Sequence, residues 1–151
     1  MGAAVSVAAS AKRALVGNGN PLGALLPGVI VAYSAPRDLP REVVYGGQVV
    51  GPVELLSMAG GGRVKRREDL SLLLHVRVYQ PGQETAETAE ARAVEIGDVI
   101  CIYIATNTKL TGDIEDLRLA HVTGMDLDSW TDDDGAGSIL TISVGLMSNL
   151  N

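Results

Sequence analysis

Leu70-Ser71-Leu72-Leu73-Leu74-His75-Val76-Arg77-Val78-Tyr79 is the stretch that decides the fold. Leu70, Leu72, Leu74, Val76 and Val78 are all apolar, and they alternate with Ser71, Leu73, His75, Arg77 and Tyr79, most of them polar. Side chains along a strand point alternately to opposite faces, so a period of two across ten residues spells a half-buried strand. One face of the sheet is core. The other is wet or turned toward an interface.

Pro81-Gly82 closes this strand, and a helix is expected over 84–106. Ala86, Ala89, Ala93, Ile96, Ile100, Tyr103 and Ile104 fall on one face at spacings of three and four. Glu84, Glu87, Glu90 and Arg92 lie off that stripe, and the early glutamates suit the positive end of the helix dipole. Gly97 costs helix propensity and marks close packing against the sheet. Asn107 is the expected stop. Two strands follow, Ile114 to Trp130 (interrupted by Gly124) and Ile139 to Leu146, joined by a turn over Thr131 to Gly137.

Upstream, residues 57–67 read as a hairpin tip: Ala59-Gly60-Gly61-Gly62, then Arg63, Lys65, Arg66 and Arg67. Before it, Glu42 to Tyr45 and Val49 to Leu56 read as strand segments. Gly46-Gly47 and Gly51-Pro52 interrupt them, as glycine does at bulges and proline at breaks or edges. Val29 to Tyr33, between Pro27-Gly28 and Pro36, reads as a buried strand. Residues 3–16 read as a helix, with Ala4, Ala8, Ala11 and Leu15 on one face and Gly17-Asn18-Gly19-Asn20-Pro21 as its end.

Strands thus come in runs rather than alternating with helices. This indicates one α+β domain, residues 1–151, with a mostly antiparallel sheet and two helices packed on one face. The other face need not be covered.

The 46% apolar composition of these 151 residues supports a real core and excludes disorder. No apolar run is long enough for a membrane helix. The charges of the Ala/Val-rich N-terminus, Lys12 and Arg13, follow its apolar stretch, the reverse of a secretory signal. The Gly2/Ser6 match to a myristoylation pattern is set aside, because the apolar spacing suits a folded helix. Net charge is −6, unlike a free-standing nucleic-acid binder. The charge is split, however. Residues 1–83 carry nine Lys/Arg against five Asp/Glu, and residues 84–151 carry three against thirteen. Either these are ordinary solvated faces, or neighbours in an assembly meet basic side to acidic side.

No catalytic constellation emerges. His75 and His121 fall on expected strands, outside any metal-ligand spacing. Cys101 sits between Ile100 and Ile102 and reads as a small buried hydrophobe. Asp132-Asp133-Asp134-Gly135 lacks the spaced ligands of a calcium loop and reads as a turn. Glu115-Asp116 is a carboxylate pair on a strand, where adjacent side chains diverge. No catalytic, cofactor or metal residue is assigned. The candidate contact residues are Arg63, Lys65, Arg66 and Arg67, a basic tip in an acidic protein. They could solubilise a hairpin, meet a phosphate or dock on an acidic partner.

Read in order, the chain resembles the tail terminator (tail completion) family of long-tailed siphophages. The pieces that carry the likeness are the N-terminal helix, Pro27-Gly28-Val29-Ile30-Val31, Tyr33-Ser34-Ala35-Pro36 and Pro40-Arg41-Glu42-Val43-Val44-Tyr45. They continue as Arg66-Arg67-Glu68-Asp69-Leu70 opening the long strand, Thr88-Ala89-Glu90-Ala91-Arg92-Ala93 in the helix, and Lys109-Leu110-Thr111-Gly112-Asp113-Ile114 after it. Gly46-Gly47 departs from the family pattern. The resemblance implies a virion structural protein rather than an enzyme, without cofactors. It implies a homohexameric ring capping the head-proximal end of the tail tube, with the major tail tube protein and a head-tail connector or stopper as partners. DNA would cross the lumen without sequence-specific binding. Another neck protein, a stopper or a tube-like subunit, is the alternative within that machine, and a small ligand-binding α+β domain is the alternative outside it.

Overall fold

The computed structural model describes residues 4–51, 53–58, 64–82, 85–112, 114 and 117–150. In chain order the elements are α1 (Ala4–Val16), α2 (Leu22–Leu25), β1 (Ile30–Ala32), β2 (Glu42–Val50), β3 (Val53–Met58), β4 (Val64–Pro81), α3 (Ala86–Thr106), β5 (Leu117–Thr131) and β6 (Gly135–Leu150). The strands form one sheet in the order β1-β2-β4-β6-β5, with β3 also paired to β4. Only β1–β2 is parallel. The α+β class and the mostly antiparallel sheet are therefore as the sequence indicates.

The alternation at 70–79 does what its period demands. Leu72, Leu74, Val76 and Val78 are fully buried. They join Val44 of β2 and Leu140, Ile142, Val144 and Leu146 of β6 in a core roofed by α1 (Ala8, Ala11, Leu15) and α3 (Ala89, Ala93, Ile96, Ile100, Ile104). Ser71, Leu73, His75, Arg77 and Tyr79 point the other way and are partly exposed.

Glycines explain how closely these layers approach. A Cβ on Gly97 of α3 would run into Cδ2 of Leu140, so the helix lies directly on β6. Between Gly46↔Leu74 and Val49↔Leu72 the register shifts, so Gly47 and Gln48 face the single residue Leu73 in a β-bulge. A Cβ on Gly46 would stand 2.7 Å from the Tyr33 carbonyl oxygen, and one on Gly47 would stand 2.6 Å from Nε2 of His75. The pair is small because the chain is crowded from both faces of the sheet.

Helix ends follow local chemistry. Thr85 caps α3 by accepting a hydrogen bond from the Thr88 N–H, and Asn107 ends it by donating from both its backbone and its side chain to the Tyr103 carbonyl. Gly17 follows α1, where a Cβ would come within 2.6 Å of the Arg13 carbonyl oxygen.

Several expectations need correction. A third helix, the single turn α2, follows the Gly17–Pro21 stop. Asn20 builds it by donating to the Gly17 carbonyl and accepting from the Gly23 N–H. Val29 is buried but precedes β1, and β1 itself is a partly exposed edge strand instead of a buried one. Glu42 to Val50 is one bulged strand. Gly51, with φ at 150°, separates it from β3, and Pro52 lies outside the described residues. The supposed tip at 57–67 is mostly ladder: Ser57 and Met58 belong to β3 and residues 64–67 to β4. Side-chain periodicity cannot register that extension, because backbone pairing to β3 and β6 creates it. β6 likewise begins at Gly135, so the turn at 131–137 shrinks to Asp132–Asp134.

Candidate assembly surfaces

Among the described residues, no helix packs on the face of the sheet opposite α1 and α3, although Val43 on that face is fully buried. Cross-strand register sets its side chains in rows. One row runs Ile30, Val43, Arg77, Ile139, Asp128. The next runs Ala32, Tyr45, His75, Thr141, Asp126. The Tyr45 and His75 rings stack with centroids 5.1 Å apart, and His75 Nδ1 lies 3.0 Å from the Thr141 hydroxyl. Burial in this stack pushes the His75 pKa below its ordinary value, since the charged imidazolium loses water. Trp130 lies across Gly137, where a side chain would have no room, and the Arg77 guanidinium sits 5.2 Å from its ring. Tyr79 donates to Asp132 at 2.9 Å. This bond holds the Asp132 pKa down, while desolvation first and then Asp132 raise that of Tyr79. The face mixes apolar, aromatic and basic side chains along its centre and turns acidic at the β5 margin.

The two edges of the sheet differ in a way the linear sequence conceals. Among the described residues, the exposed large apolar side chains fall into two groups. Leu25, Ile30, Tyr33, Leu39, Val49 and Val50 lie along the β1–β2 side, and Val94, Ile102, Met125 and Leu127 along the α3–β5 side. Residues 1–41 carry Lys12, Arg13, Arg37 and Arg41 against the single acid Asp38. Residues 119–151 carry Asp126, Asp128, Asp132, Asp133 and Asp134 and no lysine or arginine. Because β1 and β5 are the ends of the strand order, the charge split along the chain becomes a split across the molecule.

The candidate contact residues divide. Lys65, Arg66 and Arg67 lie in the β4 backbone, opposite Ser57, Leu55 and Glu54 of β3. Pairing of β4 with β6 starts at Arg66↔Leu150, so Val64 and Lys65 are paired to β3 alone while Arg66 and Arg67 sit between β3 and β6. Arg63 and the glycine run at 60–62 lie outside the described residues.

Concave features are shallow. A groove of about 530 Å³ runs between α1 and β2, lined by Ala8, Lys12, Tyr33, Val49, Val50 and Leu70. The Lys12 ammonium sits 4.3 Å over the Tyr33 ring there. A second groove, between α3 and β5, holds Cys101, Ala105, Ala120, Val122 and Met125. Burial, and secondarily Asp98, pushes the Cys101 thiol pKa up, which keeps it protonated rather than nucleophilic. Among the described residues no three His, Cys, Asp or Glu side chains gather as a metal site. Glu115 and Asp116 lie outside them. No helix among the described residues is long and apolar enough to cross a membrane.

The single ion pair joining α3 to the sheet among the described residues is Arg92 to Glu42. Nε and Nη2 reach the two carboxylate oxygens at 2.7 and 3.0 Å. It ties the helix to β2 and is structural.

A scan of protein-family models and a search of curated proteins both return no match to this chain.

Proposed function

We propose that this chain is a virion structural protein, a tail terminator whose copies close into a homohexameric ring on the head-proximal end of a tail tube. In this reading the ring stops tube polymerisation and offers the head connector a docking surface. DNA passes through its lumen without base-specific contacts, and the chain acts through shape rather than catalysis.

The observation that carries the reading is the sheet face opposite the helices. The partly exposed Tyr45, Leu73, Ile139 and Trp130 share it with His75, Arg77 and Thr141, across five paired strands. A broad face of that composition is worth keeping exposed when other protein chains cover it in the assembled state. In this reading Lys65, Arg66 and Arg67 of the β3–β4 hairpin contact a neighbouring subunit or the tube.

A tube-like subunit is the second reading, favoured by the sixteen paired residues of the β4–β6 ladder, a long rigid wall. The two separate on growth. Negative-stain electron microscopy of the purified chain is expected to show closed rings, and adding them to polymerising tail tube protein should arrest elongation. Open filaments would favour the tube-like subunit. A monomer at all concentrations, without effect on tube growth, would refute both.

A further inference from the structure

We infer that copies of this chain dock head to tail, the β1–β2 edge of one on the α3–β5 edge of the next. The inference rests on the reading of the chain as a self-assembling subunit and specifies which surfaces meet.

Two observations converge. Exposed large apolar side chains occur toward each edge: Ile30, Tyr33 and Leu39 in and after β1, and Val94, Met125 and Leu127 on α3 and β5. Each edge also carries charge of one prevailing sign. Arg37 and Arg41, with Asp38 between them, adjoin the first, while in the second Asp126 and Asp128 project from the opposite face of the edge strand that carries Met125 and Leu127, with Arg118 at its start. Exposed apolar side chains with charge nearby are what a protein interface uses, and here the prevailing charge of the two edges is opposite in sign.

Arg41 and Asp128 also lie near the same end of the sheet. The Tyr79 N–H bonds the Arg41 carbonyl at 2.7 Å, Tyr79 pairs with Gly137, and Gly137 pairs with Trp130. Arg41 and Trp130 therefore end one row of the sheet, and Asp128 lies two residues before Trp130. A neighbour set beside that row brings its Arg41 level with Trp130, about 7 Å along the strand from Asp128, a gap that an extended arginine side chain spans.

The same distribution disfavours a two-fold contact. An isologous dimer through either edge sets arginines against arginines or aspartates against aspartates, which repel in a dehydrated interface. Joining unlike edges leaves one of each kind free on every dimer, so association continues until the ring closes.

Charge reversal tests this. One variant carries Arg37→Glu with Arg41→Glu, a second carries Asp126→Lys with Asp128→Lys, and a third combines all four. These side chains are exposed, so circular dichroism should report wild-type folding for each. In sedimentation velocity, at concentrations where the wild type assembles, either two-site variant should associate at least about 100-fold more weakly. The four-site variant, and an equimolar mixture of the two two-site variants, should recover assembly. Recovery would be the decisive support. If the wild type forms rings and the two-site variants form them equally well, or the four-site variant fails to recover, this docking is wrong while the ring reading stands. A wild type that stays monomeric overturns both.

Discussion

Leu73 and Leu74 are chemically identical neighbours, and truncating each to alanine tests the two-faced sheet directly. Leu74 is fully buried, between Gly46 of β2 and Ile142 of β6 in its row. Leu74→Ala removes three carbons from a site whose walls are two ladders and a helix layer, so the cavity can collapse only partly. The lost transfer energy plus the residual cavity comes to about 3–4 kcal/mol, within the usual range for buried leucines. Leu73 lies on the face away from the helices, opposite the bulge, and keeps part of its contact with water in the isolated subunit. Leu73→Ala should cost less than about 1 kcal/mol there. Urea unfolding at a concentration too dilute for assembly measures both, and a shared m-value confirms that the same surface is being exposed. Equal costs, or a larger one for Leu73, would refute the facing of the whole strand. A one-residue slip exchanges the two sets of side chains, so no local adjustment could rescue it.

The pH response should follow His75, which packs on Tyr45 and Thr141. Its folded pKa lies below its ordinary value of 6.5, so above that pH both states are neutral and stability is flat. As pH falls through 6.5 the unfolded chain takes up a proton that the folded chain resists, and stability declines until the folded pKa is passed. The urea midpoint should drop between pH 7.5 and 5.5 by more in the wild type than in His75→Asn, and a rise on acidification relative to that variant would contradict the burial argument. For the tether of α3 to β2, a double-mutant cycle with Arg92→Met and Glu42→Gln should give a coupling of about 1 kcal/mol, because the guanidinium makes a two-pronged contact and both side chains are mostly buried. A coupling near zero would mean that the pair only solvates itself.

Periodicity alone was enough for the α+β class, the facing of β4, the α3 stripe and the close approach at Gly97. Each of these is written in side-chain spacing, because a strand repeats at two residues and a helix near 3.6. The element limits were less legible. The ends of β4 and β6 run past their apolar alternation, since partner strands and not side-chain burial satisfy their backbone groups. α2 depends on one asparagine bonding to both sides of a turn.

The candidate surfaces divide along the same line. The basic run at 63–67 and the acidic second half of the chain are visible in the sequence as charge. That the first half's elements supply one sheet edge and β5 the other is a matter of strand order, which pairs β4 with β6 and sends β1 and β5 to opposite ends. Strand order is fixed by long-range pairing among residues far apart in the chain, and composition carries no record of it. Only the folded sheet turns a charge imbalance along a polypeptide into two faces that can meet.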